Sequence, residues 1–106
     1  LLKRYDGNFI LPFKQKKNIS SFVLLFIMKN FDKKKKLEKI LNRNGIESRP
    51  FIAGNLLKQP FLSKYNKKSY KNSDFIDKYC FYIGNNQFVG QKRLQRLSLI
   101  FKKFFR

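Results

Sequence analysis

The sequence contains no histidine and a single cysteine, Cys80. These shortages exclude a Cys-His nucleophile, a Ser-His-Asp triad and zinc sites built from histidine or several cysteines. Cys80 has no partner for an internal disulfide, which suits a reducing compartment. In the run Tyr79-Cys80-Phe81-Tyr82-Ile83 a small thiol reads as buried core. Acids are scarce too, six against 25 lysines and arginines. Asp6 falls in a turn, Asp32 and Asp74 stand where helices begin, Glu38 and Asp77 lie on helices beside lysines, and Glu47 precedes Arg49. Every carboxylate thus has a structural use, and no pair is set aside for acid-base catalysis. The five glycines form neither a GxGxxG nor a GxxxxGK[ST] phosphate cradle. No signal-peptide pattern is expected in the opening residues, and the longest apolar run, FVLLFIM at 22–28, is far too short to cross a bilayer. Taken alone, the chain looks catalytically empty, and a soluble protein or a piece of one is expected.

What is present points first to one domain. A chain of 106 residues suffices for a modest core, and a hydrophobic fraction of 42% argues against a disordered tail. A formal charge of +19 raises the expectation of a polyanionic partner, nucleic acid or an acidic membrane face. The basic residues are mostly lysine, however, and are spread along the whole chain among abundant Asn, Ile, Phe and Tyr. An AT-rich coding sequence produces the same joint bias, so a solvated, composition-driven charge is the preferred reading. Aromatics beside cations, as in FKKFFR at 101–106, keep a basic nucleic-acid-binding module as the alternative, since stacking next to positive charge is the chemistry of single-strand binding. A basic amphipathic last helix lying on acidic lipid rests on similar physics.

The opening LLKRY reads as the tail of a helix, and Asp6-Gly7-Asn8 as a turn. Connector follows, because Pro12 forbids a central strand and the lysines mark exposed loop. The apolar stretch 21–29 reads as a buried strand. Asp32 is placed to cap the next helix, which carries Leu37, Ile40 and Leu41 at helical spacing and closes at Gly45. Pro50 pushes Arg49 out of helical space, so residues 46–51 resume an extended path. Residues 58–71 read as loop, and Asn72-Ser73-Asp74 signals a short helix through Tyr79. Residues 80–84 form another strand. Gln87 to Phe105 is a last helix with Val89, Leu94, Leu97, Phe101, Phe104 and Phe105 near one side. This order implies an α/β (α+β) fold, a small sheet of about three strands packed with helices.

The stretch NGIESRPFIAGNLLKQPF at 44–61, preceded by LEKILNR and followed later by NSDFIDKYCFYIGNN, carries a resemblance. It resembles the C-terminal part of the pyridoxal-phosphate (PLP) sugar aminotransferase family often called DegT/DnrJ/EryC1/StrS, and most of all its branch of nucleotide-activated keto-deoxysugar 3-dehydratases. That branch pattern runs from a Gly-Ile-Glu turn through an arginine, an apolar pair and Gly-Asn-Leu to a base before Gln-Pro. Its counterparts here are Gly45-Ile46-Glu47, Arg49, Phe51-Ile52, Gly54-Asn55-Leu56 and Lys58-Gln59-Pro60. Three departures stand out. Lys58 replaces a common arginine and lacks its planar fork. Asn86 stands where a histidine often follows Ile-Gly-Asn. The usual Pro-Ser-Trp-Phe-Gly is reduced to Ile19-Ser20-Ser21-Phe22-Val23.

The resemblance implies that residues 19–106 are the small C-terminal domain of such an enzyme and residues 1–18 the connector from a large domain outside this sequence. That domain would carry the Schiff-base lysine, or the histidine replacing it, and pyridoxal or pyridoxamine phosphate. The implied full-length enzyme is a cytoplasmic homodimer that acts on a nucleotide sugar in deoxysugar biosynthesis, for lipopolysaccharide or another surface polysaccharide. For this segment the resemblance implies no catalytic residue, no metal and no bound cofactor. It does imply a substrate-facing loop: Gly54 allows close approach, Asn55 and Gln59 bond sugar hydroxyls, and Arg49 and Lys58 face a nucleotide diphosphate. The plainer alternative makes Gly54-Asn55 a simple turn and Arg49 a surface ion pair with Glu47. An apolar face left exposed where the large domain would sit is expected as well.

Overall fold

Phe26 and Phe81 lie opposite one another on the two central strands of an antiparallel sheet, their rings stacked with centroids 5.2 Å apart. The computed structural model describes residues 7–12, 19–65 and 68–106. Its strands are β1 (Phe9–Ile10), β2 (Val23–Met28), β3 (Ser48–Pro50) and β4 (Cys80–Gly84), and its α-helices are α1 (Phe31–Arg43), α2 (Lys71–Tyr79) and α3 (Gln91–Phe104). The sheet runs β1-β2-β4-β3 with every pair antiparallel. A sheet packed with helices is the expected class, with four strands among the described residues rather than about three. The added one is β1, which pairs Phe9 with Met28 and Ile10 with Ile27. Two residues are too few to show a period-two pattern, and Pro12, which forbids a central strand, tolerates this edge. Pro50 likewise sits on the edge strand β3.

Side chains alternate across a strand. Phe26 and Met28 of β2 and Phe81 and Ile83 of β4 therefore share one face, buried with Phe9, with Leu37 and Leu41 of α1, and with Leu97, Ile100 and Phe101 of α3. Phe101 stacks on Phe26 at 5.5 Å. Each fully buried phenylalanine stabilises the fold by about 1.5–3 kcal/mol. On the opposite face Leu25, Ile27 and Tyr82 are half-buried. Cys80 is fully buried, as expected, and burial pushes its thiol up to about 11.

Several boundaries differ from the sequence reading for local reasons. Asn30, not Asp32, caps α1: its side chain accepts from the Lys33 amide at 2.9 Å, while Asp32 lies in the first turn, where a negative charge suits the helix dipole. Gly45 closes α1 as expected, at φ 71°, and the amides of Gly45 and Ile46 donate to the carbonyls of Asn42 and Leu41. Helix α2 starts at Lys71 with no side-chain cap, and Asp74, expected as a cap, lies in its first turn and accepts from Ser69 Oγ at 3.0 Å. Helix α3 starts at Gln91 rather than Gln87, because Asn86 to Gly90 fold as a turn in which the Phe88 amide donates to Asn86 Oδ1. Val89 is thus outside the helix, and Ile100 joins its buried side. Short 3-10 turns at Leu56–Lys58 and Pro60–Tyr65 occupy much of the stretch expected to be loop. The helix tail expected at 1–5, Asp6 and the connector lysines at 14, 16 and 17 lie outside the described residues. Among the described residues no helix is long and apolar enough to cross a membrane.

Candidate functional site

After β3 the chain turns sharply, with φ 60° at Ala53 and 55° at Gly54. Glycine at 54 is required twice over. Its φ is one that side-chain-bearing residues rarely adopt, and a Cβ there would collide with the Asp77 carboxylate of α2. The turn therefore docks on α2. The Asn55 amide donates to Asp77 Oδ1 at 3.1 Å, and Asn55 Nδ2 donates to Asp74 Oδ1 at 2.8 Å. Asn55 Oδ1 accepts from the Leu57 amide at 3.1 Å, capping the 3-10 turn, and the residue is only 6% exposed. Lys58 Nζ lies 2.9 Å from Asp77 Oδ2 and 3.3 Å from Asp74 Oδ1. Gln59 Nε2 donates back to the Ala53 carbonyl at 3.0 Å.

These contacts set the local electrostatics. Asp74 is held below the ordinary carboxylate value, first by the hydrogen bond from Asn55, then by those from Ser69 and Lys58. Asp77 is held low chiefly by Lys58. Lys58 is raised by its hydrogen bonds to Asp77 and then Asp74.

A second locus is an open cleft of about 720 Å³ between α3, the ends of β2 and β4, and the turn leading into β3. Arg49, Arg93 and Arg96 line it with Glu47, Tyr82 and Asn86. Arg49 is raised by its hydrogen bond to Glu47, then by that carboxylate's charge, with Tyr82 adding to the effect. The guanidinium reaches Glu47 Oε1 at 2.8 Å through Nη2 and 2.9 Å through Nε.

The five residues expected to face substrate thus fall in two groups. Gly54, Asn55, Lys58 and Gln59 are gathered in the turn, where their polar groups meet α2 or the turn itself. Arg49 lines the cleft and also makes the ion pair with Glu47 that the plainer reading anticipates. Sequence reasoning missed Arg93, Arg96 and Tyr82 as its neighbours. The available signal was the spacing of the two arginines by one helical step, which puts them on one face of α3. Among the described residues no cluster of acids, histidines or cysteines could hold a metal ion. Large apolar side chains are exposed at both loci: Phe22 at the cleft and Phe61 beyond the turn are each 71% accessible.

Comparison with protein-family models and with curated proteins gives no match. Among solved structures the chain is similar to E. coli GDP-4-keto-6-deoxy-D-mannose-3-dehydratase with bound hydrated PLP, at 27% identity and TM-score 0.71, over 93% of this chain and 26% of that one. It is similar to GDP-4-keto-6-deoxymannose-3-dehydratase with a trapped PLP-glutamate geminal diamine, at 27% identity and TM-score 0.70, over 93% of this chain and 28% of that one. A histidine-to-asparagine variant of the same dehydratase, ColD, with bound GDP-perosamine gives 27% identity and TM-score 0.69 over the same shares. The chain spans about a quarter of the length of the structures it matches.

Proposed function

We propose that this chain is the small C-terminal domain of a PLP-dependent nucleotide-sugar 3-dehydratase or aminotransferase. The enzyme would act in cytoplasmic deoxysugar biosynthesis for lipopolysaccharide or another surface polysaccharide. The supporting observation is the superposition of 93% of the chain, at 27% identity, on about a quarter of a solved 3-dehydratase. In this reading residues 19–106 are the small domain and residues 1–18 join it to the large one, with Phe9 lending its ring to the small domain's core. The turn at Gly54, Asn55, Lys58 and Gln59 is a wall of the substrate cleft whose shape α2 sets, and Arg49 faces the nucleotide.

The residues present do not fit PLP. The chain has no histidine. The buried lysine among the described residues, Lys34, donates to the Lys78 carbonyl at 3.2 Å and lies 3.8 Å from Glu38. The carboxylates of Asp74 and Asp77, which could otherwise face a ring nitrogen, are taken by Asn55, Ser69 and Lys58. On this reading the chain by itself is inactive, and the cofactor and the homodimer belong with a large domain outside this sequence.

The coding sequence ahead of the Leu1 codon tests this reading. A reading frame, intact or shifted, for a domain with a cofactor lysine or histidine is expected. Unrelated sequence there, with no cofactor-domain gene nearby, overturns it. Mixing the purified chain with PLP tests the inactivity, which a saturable absorption band distinct from surface-lysine adducts would refute.

A second reading, a basic nucleic-acid-binding module, has one observation in its favour: every charged side chain from 78 to 106 is a lysine or arginine. Its stacking component is weak, because Phe101 is buried in the core. A steep loss of oligonucleotide affinity with rising salt supports this reading, and a flat titration at low salt ends it.

A further inference from the structure

Among the described residues, the cleft beside α3 holds three guanidinium groups, Arg49, Arg93 and Arg96, and one lining carboxylate, Glu47. Glu47 is already engaged by Arg49 at 2.8 Å, and among the described residues neither Arg93 nor Arg96 has a carboxylate partner. Lys58, the other cation expected to meet a diphosphate, is held by Asp74 and Asp77. The excess positive charge of this concave site therefore comes from α3. Cations on the walls of a cleft focus their field and concentrate anions there, and a guanidinium fork can bond two phosphate oxygens at once. Residues 93 and 96 lie one helical step apart and share a face. Phe22 and Tyr82 in the same lining offer a base aromatic surface to stack on.

We propose that Arg93 and Arg96 form a subsite for the diphosphate of a nucleoside diphosphate, with the Glu47-paired Arg49 beside them in the lining, taking the part that Lys58 is not free to play. This deepens the nucleotide-sugar reading and rests on it for the nucleoside. The test is calorimetric titration of the chain with GDP and with inorganic pyrophosphate at physiological salt. The variant Arg93→Gln/Arg96→Gln is compared with Lys102→Gln/Lys103→Gln, which removes the same charge from exposed positions on the far half of the helix. GDP is expected to saturate a single site. The arginine pair should weaken it at least ~tenfold, which is about 1.4 kcal/mol, and the lysine pair less than about twofold. Equal weakening by both pairs means diffuse attraction to a highly basic chain and overturns the subsite, as does the absence of saturable binding. If pyrophosphate binds as tightly as GDP and is lost with the arginines, the subsite stands and the nucleotide-sugar reading loses support. If GDP binds and only Arg49→Gln weakens it, that reading stands and the subsite falls.

Discussion

Lys58 Nζ lies 2.9 Å from Asp77 Oδ2, a contact that spans 19 residues of sequence and ties the turn after β3 to α2. Exposed ion pairs stabilise little on their own. This one works alongside the Asn55 amide, which donates to the other oxygen of the same carboxylate. Replacing Lys58 with Met should therefore loosen the turn rather than the fold. Amide exchange of Gly54 to Lys58 should speed up, while the midpoint of thermal unfolding falls by no more than about 4 °C. The difference from the parent chain should shrink in 1 M salt, where exposed charges are screened. Global unfolding by Lys58→Met would refute this account of the loop.

The same carboxylates predict an acid transition. Asp74 and Asp77 titrate below the ordinary 3.8 in the folded chain, so the unfolded chain binds protons first as pH falls. Their contribution is complete above that ordinary value and is lost as pH drops through the lower folded values. Stability measured by urea denaturation should therefore decline more steeply below about pH 4 in the parent than in Asp74→Asn/Asp77→Asn. Equal slopes would mean that these groups are not tethered in solution.

Much of this architecture is legible in the sequence, for identifiable reasons. Phe26 and Phe81 lie in short apolar runs bounded by turn residues, and Gly45 stands where a helical pattern stops, so local composition is enough to place them. Phe9 is different: it is core only because Met28 lies beside it in the sheet. Asn30 and Asp32 are both good capping residues two positions apart, and sequence alone does not choose between them. Asp74 and Asp77 invite reading as helix furniture, because their partners Asn55 and Lys58 are brought to them by the tertiary fold. Arg93 and Arg96 become neighbours of Arg49 only when α3 closes over the end of β4.

Positions 53 and 54 form a natural pair of opposite substitutions. Ala53 holds φ 60°, a conformation that favours glycine, so Ala53→Gly is expected to be neutral or stabilising by up to about 1 kcal/mol despite its greater unfolded entropy. Gly54→Ala meets both an unfavourable φ of 55° and the Asp77 carboxylate. It should destabilise by about 1–3 kcal/mol and break the bond from the Asn55 amide. Chemical denaturation of the two variants checks the signs, and destabilisation by Ala53→Gly alone would contradict the backbone geometry.

Helix capping separates the two candidates Asn30 and Asp32. Asn30→Ala removes the acceptor for the Lys33 amide and should destabilise by about 1 kcal/mol. Asp32→Asn removes only a favourable charge from the first turn, worth about 0.3–1 kcal/mol at low salt and less when screened. Unfolding curves in high salt should therefore leave the Asn30 effect intact and diminish that of Asp32. The reverse ranking would put the cap at Asp32.

Cys80 offers a probe of the core at the other end of the pH scale. Its side chain is fully buried, and burial pushes the thiol from its usual 9.0 up to about 11. At neutral pH it stays protonated and inaccessible, so a thiol reagent should label it only as fast as the chain opens, and denaturant should release full reactivity. Above about pH 9 the unfolded thiol ionises before the folded one, so the folded chain holds the proton longer and stability falls as pH rises towards 11. The informative quantity is the difference from Cys80→Ala. Loss of stability between pH 9 and 11 should be shallower in that variant. Rapid labelling of the native chain at neutral pH would show that the strand carrying Cys80 is not packed as described.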